Sequence, residues 1–313
     1  MRVALLGTLA VLAFAIPASS ASAVELTPPW DPFDRCPVDA PEILAITDSG
    51  NACVSSVAET GSFKIGNTTV STGHNELQFG AYGPGIPNVV GATLVADPVN
   101  VPGGLLGVQF EPIPMPPCSN PIQCALRNLA ITLINRTRAL LTTGPFAVTA
   151  TVELAGEPSN FNLFAPFDGS PIITLPVKIH LQNPILGPNC YVGSNQDPIV
   201  LQPHQEPLST FDELLFEPDP LGSNASFVSA NHPGADQIDD AFTVPKANGC
   251  GLKLPFPPGQ GTHLLNGAVN GRLGLPSPSG ANKLVLEDAT SLIVGSAPTG
   301  QELSDAWHAA VIP

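Results

Sequence analysis

Six cysteines are the residues whose type and spacing carry the clearest chemistry in this sequence. They allow many pairings, but partners that lie close in sequence cost the least conformational entropy to join. Sequential pairing is therefore expected. The alternative is that one of the pairs is scrambled. A zinc site is not expected, because no Cys-x-x-Cys motif with a nearby histidine is present. The predicted bridges are Cys36–Cys53, Cys118–Cys124 and Cys190–Cys250.

A group of aspartates is the best candidate for a metal site. Asp236, Asp239 and Asp240 lie close together in the sequence, and Glu213 is a further carboxylate of the same acidic region. Ca²⁺ prefers several hard oxygen ligands, which carboxylates provide. The spacing matches no calcium-loop signature, so an acidic loop in contact with water is the simpler interpretation.

Catalytic signatures are absent from the sequence. There is no Gly-x-Ser-x-Gly elbow, no His-Glu-x-x-His motif and no glycine-rich phosphate loop before a helix. A triad of distant residues, such as Asp48 and Ser49 with a histidine, stays open because triads are geometric. We predict no catalytic residue and no cofactor, and we expect His180 to be a solvent-facing strand residue.

The N-terminal segment has the pattern of a secretory signal peptide. Arg2 precedes an apolar run over Val3–Ile16. Ala21 and Ala23 supply the small residues that a signal peptidase requires, so residues 1–23 are predicted to be a signal peptide cleaved after Ala23. A short membrane anchor is the alternative, although the run is shorter than the roughly 20 apolar residues that span a bilayer.

Export accounts for the cysteines, because disulfides persist in oxidising compartments outside the cytosol. The formal net charge is −15, so the chain has no electrostatic footprint for nucleic acid. No second apolar span follows the signal, and no membrane span is expected in the mature chain. Charged residues are only 12% of the sequence, which indicates a surface of neutral polar residues over a core drawn from the 43% that are apolar.

Alternating patterns predict β-strands over much of the chain. Apolar and polar residues alternate with period two over 146–154 and 173–181, which is typical of half-buried strands. The turn dipeptide Gly66-Asn67 predicts a hairpin between residues 63–65 and 68–70. Pro176 lies within the 173–181 strand and predicts an edge strand or a bulge there, because proline cannot donate to the ladder.

One main helix is predicted from Pro121 to Leu141, with a strand over Ala130–Leu133 as the competing interpretation. Proline suits the first helical position, and a preceding Asn can cap it. A shorter helix is expected over 264–273, and residues 301–310 are expected to form a short helix or to be frayed. The apolar residues that recur at helical spacing in the main helix are Ile122, Leu126, Leu129, Leu133 and Leu140.

Several phrases, taken together, resemble those of uncharacterised secreted proteins of actinobacteria, whose function is unknown. The resemblance covers roughly Cys36 to Val294 and rests on strands, turns and cysteines. It implies an exported β-rich protein in which Cys190 and Cys250 pair, and it implies no activity. The phrases are Gly91–Ala96, Val101–Leu106, Thr149–Gly156, Leu175–His180, Asn183–Ser194, Asn248–Gly251 and Val269–Ser277.

The expected fold is mainly β, an antiparallel sandwich or barrel-like domain with one main helix, stapled by disulfides. It is predicted to be a single secreted domain over residues 24–313. The alternative is two β domains, at about 36–117 and 143–313, joined by the helix.

Two functions from different classes are open. The first is a non-enzymatic extracellular or cell-envelope protein that binds an unknown partner, a glycan or an apolar ligand, or is structural. The second is a secreted hydrolase with carboxylate acid–base chemistry, which needs two carboxylates about 5–10 Å apart in a cleft. An apolar pocket between sheets favours the first, and a cleft with two close carboxylates favours the second.

Overall fold

The computed structural model describes residues 23–106, 113–115, 117, 121–143, 147–230, 234–253, 263–295 and 299–312. Residues 1–22 of the predicted signal segment lie outside the described residues. Its last residue, Ala23, is described and is exposed. Strands take 37% of the residues and helices 20%, so the expected mainly β, antiparallel fold is confirmed. No described helix is both long and apolar enough to cross a membrane.

The strands are β1 (Asn51–Ala58), β2 (Thr60–Ile65), β3 (Thr68–Thr72), β4 (Asn75–Tyr82), β5 (Asn88–Ala96), β6 (Val99–Asn100), β7 (Thr149–Leu154), β8 (Leu175–Gln182), β9 (Tyr191–Val192), β10 (Ile199–Leu201), β11 (His204–Glu206), β12 (Leu214–Pro218), β13 (Ser226–Ala230), β14 (Asp236–Asp239), β15 (Ala247–Asn248), β16 (Lys283–Glu287) and β17 (Thr290–Gly295). The helices are α1 (Pro41–Leu44), α2 (Pro121–Thr143), α3 (Ala165–Asp168), α4 (Asn266–Leu273) and α5 (Gly300–Ala310).

The strands form three antiparallel sheets. Sheet I has the order β12-β13-β17-β1-β4-β5, sheet II has β15-β9-β8-β7-β6 with β10 paired to β8, and sheet III has β11-β14-β16-β2-β3. All three sheets combine strands from before and after α2. A division into 36–117 and 143–313 would therefore cut through each of them.

Local sequence explains the most regular pairs. In the predicted hairpin, β2 and β3 pair from Gly61↔Thr72 to Ile65↔Thr68, and Gly66 takes the positive φ of 51° that the turn requires. The two strands with period-two patterns become β7 and β8, which pair with each other from Thr149↔Gln182 to Leu154↔Val177.

The expectation that Pro176 marks an edge strand or a bulge is wrong. Strand β8 is internal: β7 lies on one side, and β9 and β10 lie on the other. The Pro176 carbonyl accepts the N–H of Ala155, one residue beyond the end of β7. Ala155 stands opposite Pro176, so the bond that proline cannot make is the reciprocal one to the Ala155 carbonyl. Strand β7 ends at Leu154, one residue before this position, so the loss falls at the end of the ladder.

Three apolar cores hold the layers together. The first lies between sheets II and III and under α4, and it includes Phe63, Ile179 and Leu273. The second covers one face of sheet I with the N-terminal segment and α5, including Trp30 and Trp307. The third, on the opposite face of sheet I, packs its residues around the edge-to-face pair of Phe79 and Phe161.

Helix α2 confirms the predicted main helix and extends it to Thr143, but the leucine side chains that the structure describes there do not face the core. Leu126, Leu129 and Leu133 are 65%, 59% and 55% exposed, whereas Ile131 is buried. The side-chain amide of Asn135 both donates to and accepts from the backbone of Ile113. The helical spacing of the apolar residues therefore predicted the helix correctly, but it does not identify the face of the helix that is buried.

Two of the predicted disulfides are confirmed. Cys36–Cys53 joins the N-terminal segment to β1, and Cys190–Cys250 joins segments that are 60 residues apart. Chain-entropy arguments give bridges of these loop lengths about 3–4 kcal/mol each. The third predicted bridge, Cys118–Cys124, stays a prediction because Cys118 lies outside the described residues.

A buried carboxylate fixes the N-terminal segment. The indole N–H of Trp30, a fully buried residue, donates to Asp219 Oδ1 at 3.2 Å, and its ring lies edge-on against Phe227. Burial acts to raise the pKa of Asp219, but hydrogen bonds from Ser223, from the N–H of Leu221 and from Trp30 outweigh it and lower the pKa below its ordinary 3.8.

A lowered folded-state pKa makes stability depend on pH in one direction. The contribution of Asp219 is fully present above the unfolded value and is lost as the pH falls through the folded value, between about pH 5 and pH 2. We expect Asp219→Asn to be less stable than the native chain at pH 7 by about 1–2 kcal/mol. Its thermal midpoint should also fall less between pH 5 and pH 2. The exposed Glu217→Gln variant is the control, and an equal acid response in Asp219→Asn and the native chain would contradict the assignment.

Helix α4 allows a matched pair of glycine substitutions. A Cβ on Gly271 would meet no atom within 4 Å, whereas Gly274, which ends the helix with φ 72°, would place a Cβ 2.7 Å from the amide nitrogen of Asn67. Gly271→Ala should raise the free energy of unfolding by about 0.5–1 kcal/mol, and Gly274→Ala should lower it by more than about 1 kcal/mol. Urea unfolding measures both. Changes of the same sign would refute the helix boundary.

Candidate ligand-binding site

An apolar cavity of about 50 Å³, the Phe63 cavity, lies between sheets II and III. Strands β2 and β3 supply one wall, β6 to β9 supply the other, and Leu273 of α4 closes one end. Because side chains of a strand alternate between its faces, every second residue of these strands points into the space. The apolar lining is Phe63, Ile65, Val70, Val99, Val101, Ala150, Val152, Ile179, Leu181, Val192 and Leu273.

A second cavity, the α4 cavity, has a volume of about 110 Å³ and lies between α4 and sheet II. It shares Val101, Leu181 and Leu273 with the Phe63 cavity, so the two are neighbours across a common wall. Ala268 lines it from the exposed side of α4 and marks its rim. Its remaining lining is Gly104, Leu105, Val148, Leu186, Leu265, Val269 and Arg272.

A third cavity, of about 100 Å³, lies where the three sheets meet and is here the Phe79 cavity. Val54 and Ile293 reach it from sheet I, Leu284 from sheet III and Leu201 from sheet II. Like the other two, it is lined mainly by aliphatic and aromatic side chains. Cavities with such linings stay free of tightly held water and bind small apolar molecules.

Arg272 is the charged residue of the α4 cavity. Its Nη1 donates to Thr68 Oγ1 at 3.2 Å and its Nη2 donates to the Pro102 carbonyl at 2.9 Å, and both acceptors are neutral. Its Nε is buried and has no hydrogen-bond partner in the described structure. Thr68 lines the Phe63 cavity, so the guanidinium lies at the boundary between the two spaces.

The predicted calcium residues are not brought together. In β14, Asp239 is buried, and its two oxygens accept the N–H groups of Gln202 and Ala241 at 2.5 and 2.9 Å. Asp236 lies three residues earlier in the same strand and therefore faces the opposite side. Asp240 is exposed, and Glu213 accepts the N–H of Thr210 in a capping box. Within the described ranges, no three His, Cys, Asp or Glu residues are arranged to hold a metal ion.

Asp236 instead joins a different surface group. It stands directly opposite Glu206 in the β11–β14 pair, and His204, two residues before Glu206, lies 3.3 Å from that carboxylate. The three residues line an open depression together with Pro207 and Leu208. Facing residues of antiparallel strands have Cβ atoms about 4.5–5.5 Å apart, a spacing compatible with paired carboxylate chemistry. The Glu206 side chain is 63% exposed, so water screens its charge.

His180 lies on the polar face of β8, as expected, but within a packed group. Its ring stacks on Tyr191 with centroids 4.4 Å apart, and its Nδ1 lies 3.3 Å from Glu153. Lys178 also approaches Glu153, at 3.6 Å. Burial, and then the charge of Glu153, raise the pKa of the Tyr191 hydroxyl. The charges of this group offset one another.

Two further carboxylates share one buried amide. Gln78 Nε2 donates to Asp34 Oδ1 and to Glu76 Oε1, each at 2.6 Å, and its carbonyl accepts the N–H of Arg35. The Arg35 guanidinium lies 2.8 Å from Glu76. The arrangement attaches the N-terminal segment to β4 and places both carboxylates within 4.0 Å of one guanidinium, which suits a structural role.

Sequence reasoning did not single out Arg272, Thr68 or the cavities. The resemblance phrase Val269–Ser277 contains Arg272, but nothing in the phrase shows that its side chain reaches Thr68 and Pro102. Comparison with known proteins adds no assignment: no family model, no curated protein and no solved structure matches the chain.

Proposed function

We propose that this protein is an exported, non-enzymatic binding protein that takes up a small apolar ligand between its sheets. The observation that carries the proposal is the α4 cavity, which adjoins the Phe63 cavity through three shared side chains. Most of the lining is apolar, and its polar members are Thr68, Thr72, Asn75, Asp97 and Arg272. A ligand gains about 25 cal/mol for each Å² of apolar surface removed from water.

Cavity size limits the ligand. An engineered cavity of about 150 Å³ in another protein, lined by aliphatic and aromatic residues, binds benzene. The α4 cavity, at about 110 Å³, has a similar scale, and the Phe63 cavity adds about 50 Å³ next to it. These volumes suit a ring or an alkyl chain of about six carbons, and the ligand enters at the rim formed by Ala268.

The hydrolase alternative receives less support. Its best candidate pair, Glu206 and Asp236, lies in an open depression, and Glu206 is largely exposed. Electrostatic catalysis depends on groups held in a water-excluded site. The Asp34 and Glu76 pair shares the Arg35 guanidinium and is bonded to a buried amide, so both carboxylates are occupied by structural contacts.

Export is supported by the covalent framework and by the position of Val24. Disulfides such as Cys36–Cys53 and Cys190–Cys250 are compatible with an oxidising compartment. Val24, the first residue after the proposed cleavage point, donates its N–H to the Asp34 carbonyl and packs against the core that contains Trp30. Cleavage after Ala23 would leave this contact in place.

Mass spectrometry of the protein exported by its native host tests this part of the proposal. We expect the mature chain to begin at Val24 and its mass to show six paired cysteines. An Ala21→Leu, Ala23→Leu variant should stay uncleaved, because the peptidase requires small residues there. An unprocessed native chain in the culture medium, or free thiols in the exported protein, would contradict it.

An occluding substitution tests ligand binding. Ala268→Phe places a ring at the rim of the α4 cavity, and Ala309→Phe places the same ring on an exposed position of α5, outside the cavity lining. With 1-hexanol as the probe and methyl chemical shifts as the readout, Ala268→Phe should bind at least about tenfold more weakly, which is about 1.4 kcal/mol. Ala309→Phe should bind as the native chain does. No hexanol-induced shift at Val101, Leu181 or Leu273 in the native chain would falsify the proposal.

A further inference from the structure

We propose that the α4 cavity binds the carboxylate of a short-chain monocarboxylic acid through Arg272, with the alkyl chain directed toward the Phe63 cavity. This inference rests on the proposed function and names the class of ligand. It assigns to Arg272 the recognition of the ligand's charged end.

No carboxylate among the described residues compensates the charge of Arg272. The described residues place no carboxylate within 4.0 Å of its guanidinium, whereas the guanidinium of Arg35 lies 2.8 Å from Glu76. Its two recorded hydrogen bonds go to a hydroxyl and a carbonyl, neither of which carries a charge. A guanidinium has five N–H donors, and the buried Nε–H is one that still needs an acceptor. A bound anion supplies both the acceptor and the opposite charge.

The surroundings make that anion site strong. Val148, Leu181, Leu186 and Val269 line the same cavity, so the charge lies beside aliphatic side chains. Electrostatic attraction is several times stronger in such surroundings than in water, and an unpaired buried donor is costly. The bonds to Thr68 and Pro102 hold the guanidinium in place before the ligand arrives, which reduces the entropy lost on binding.

The chemistry of the head group follows from charge balance. One guanidinium neutralises one negative charge, so a monoanionic carboxylate leaves the cavity neutral, while a phosphate monoester would add a second charge beside aliphatic groups. The planar fork of arginine also matches the two oxygens of a carboxylate, which a lysine does not.

The position of Arg272 gives the ligand a direction. Thr68, its hydroxyl partner, lines the Phe63 cavity, and Val101, Leu181 and Leu273 line both cavities. A carboxylate on Arg272 therefore places the first carbons of its chain against these shared residues. The Phe63 cavity then accepts the end of a chain of about six carbons, by comparison with the ring that a cavity of about 150 Å³ holds.

The test compares hexanoate with 1-hexanol, which has the same chain length and no charge. The native chain should bind hexanoate at least about tenfold more tightly than hexanol. Arg272→Gln should remove this preference and leave hexanol affinity unchanged, and Arg272→Lys should retain part of it. Lys283→Gln, which removes an exposed cation from β16, is the matched control and should leave the preference unchanged.

Each outcome decides between the two proposals. Equal affinity of the native chain for hexanoate and hexanol, or a preference that survives Arg272→Gln, overturns the role of Arg272 and leaves apolar binding standing. Absence of both ligands from the cavity overturns the proposed function as well. Should Arg272→Gln fail to fold, a pH series on the native chain replaces it: hexanoate affinity should fall to that of hexanol below the acid's own pKa, and a pH-independent affinity overturns the inference.

Discussion

The pairing of β1 with β17 is the interaction on which the other layers depend. It joins Ala52 to Gly295 and Val57 to Thr290, so two segments from opposite parts of the sequence become neighbours in sheet I. On its other side β1 pairs with β4, and Cys53 within it carries the bridge to Cys36. The loop that this pairing closes contains every strand of sheets II and III. Closing this loop costs conformational entropy. Burial of apolar side chains on both faces of β1 offsets that cost.

The cavities follow from the way in which the sheets meet. Sheets II and III face each other with alternating valine, isoleucine and alanine side chains, and Ala150 and Val152 are short beside Phe63 across the gap. Protein interiors are ordinarily packed as densely as organic crystals, so space of this kind carries a cost in lost contacts. A ligand that fills the space restores those contacts and stabilises the folded state by mass action. The same residues thus determine both the packing defect and the binding capacity.

Sequence patterns predicted the parts of the fold that depend on near neighbours. Period two located β7 and β8, the Gly66-Asn67 dipeptide located the β2–β3 turn, and helical spacing located α2. The strand pattern could also have separated Asp236 from Asp239, because residues three apart in a strand face opposite sides. The prediction of an edge strand or bulge at Pro176 was wrong because proline is also tolerated where a neighbouring strand ends. The position of that end depends on the tertiary structure.

The candidate site was less accessible to such reasoning. Arg272 lies on α4, Thr68 on β3 and Pro102 after β6, and only the packing of α4 with sheets II and III brings them together. A periodic sequence pattern cannot show whether a carboxylate lies near the Arg272 guanidinium, because the neighbours of a side chain are determined by the tertiary structure. Because these elements are far apart in the sequence, no short segment of the sequence contains both partners of a contact.

The composition of α2 has a consequence for the molecule as a whole. Residues 121–143 contain three arginines and no aspartate or glutamate, although the chain carries 26 acidic residues and a net charge of −15. Three of the 11 basic residues therefore lie in one helix that carries no acidic residue, while the chain as a whole is negative. The charge is thus unevenly distributed along the chain, and α2 is its most basic element. Near a charged surface at low ionic strength, an uneven charge distribution favours some orientations of approach over others.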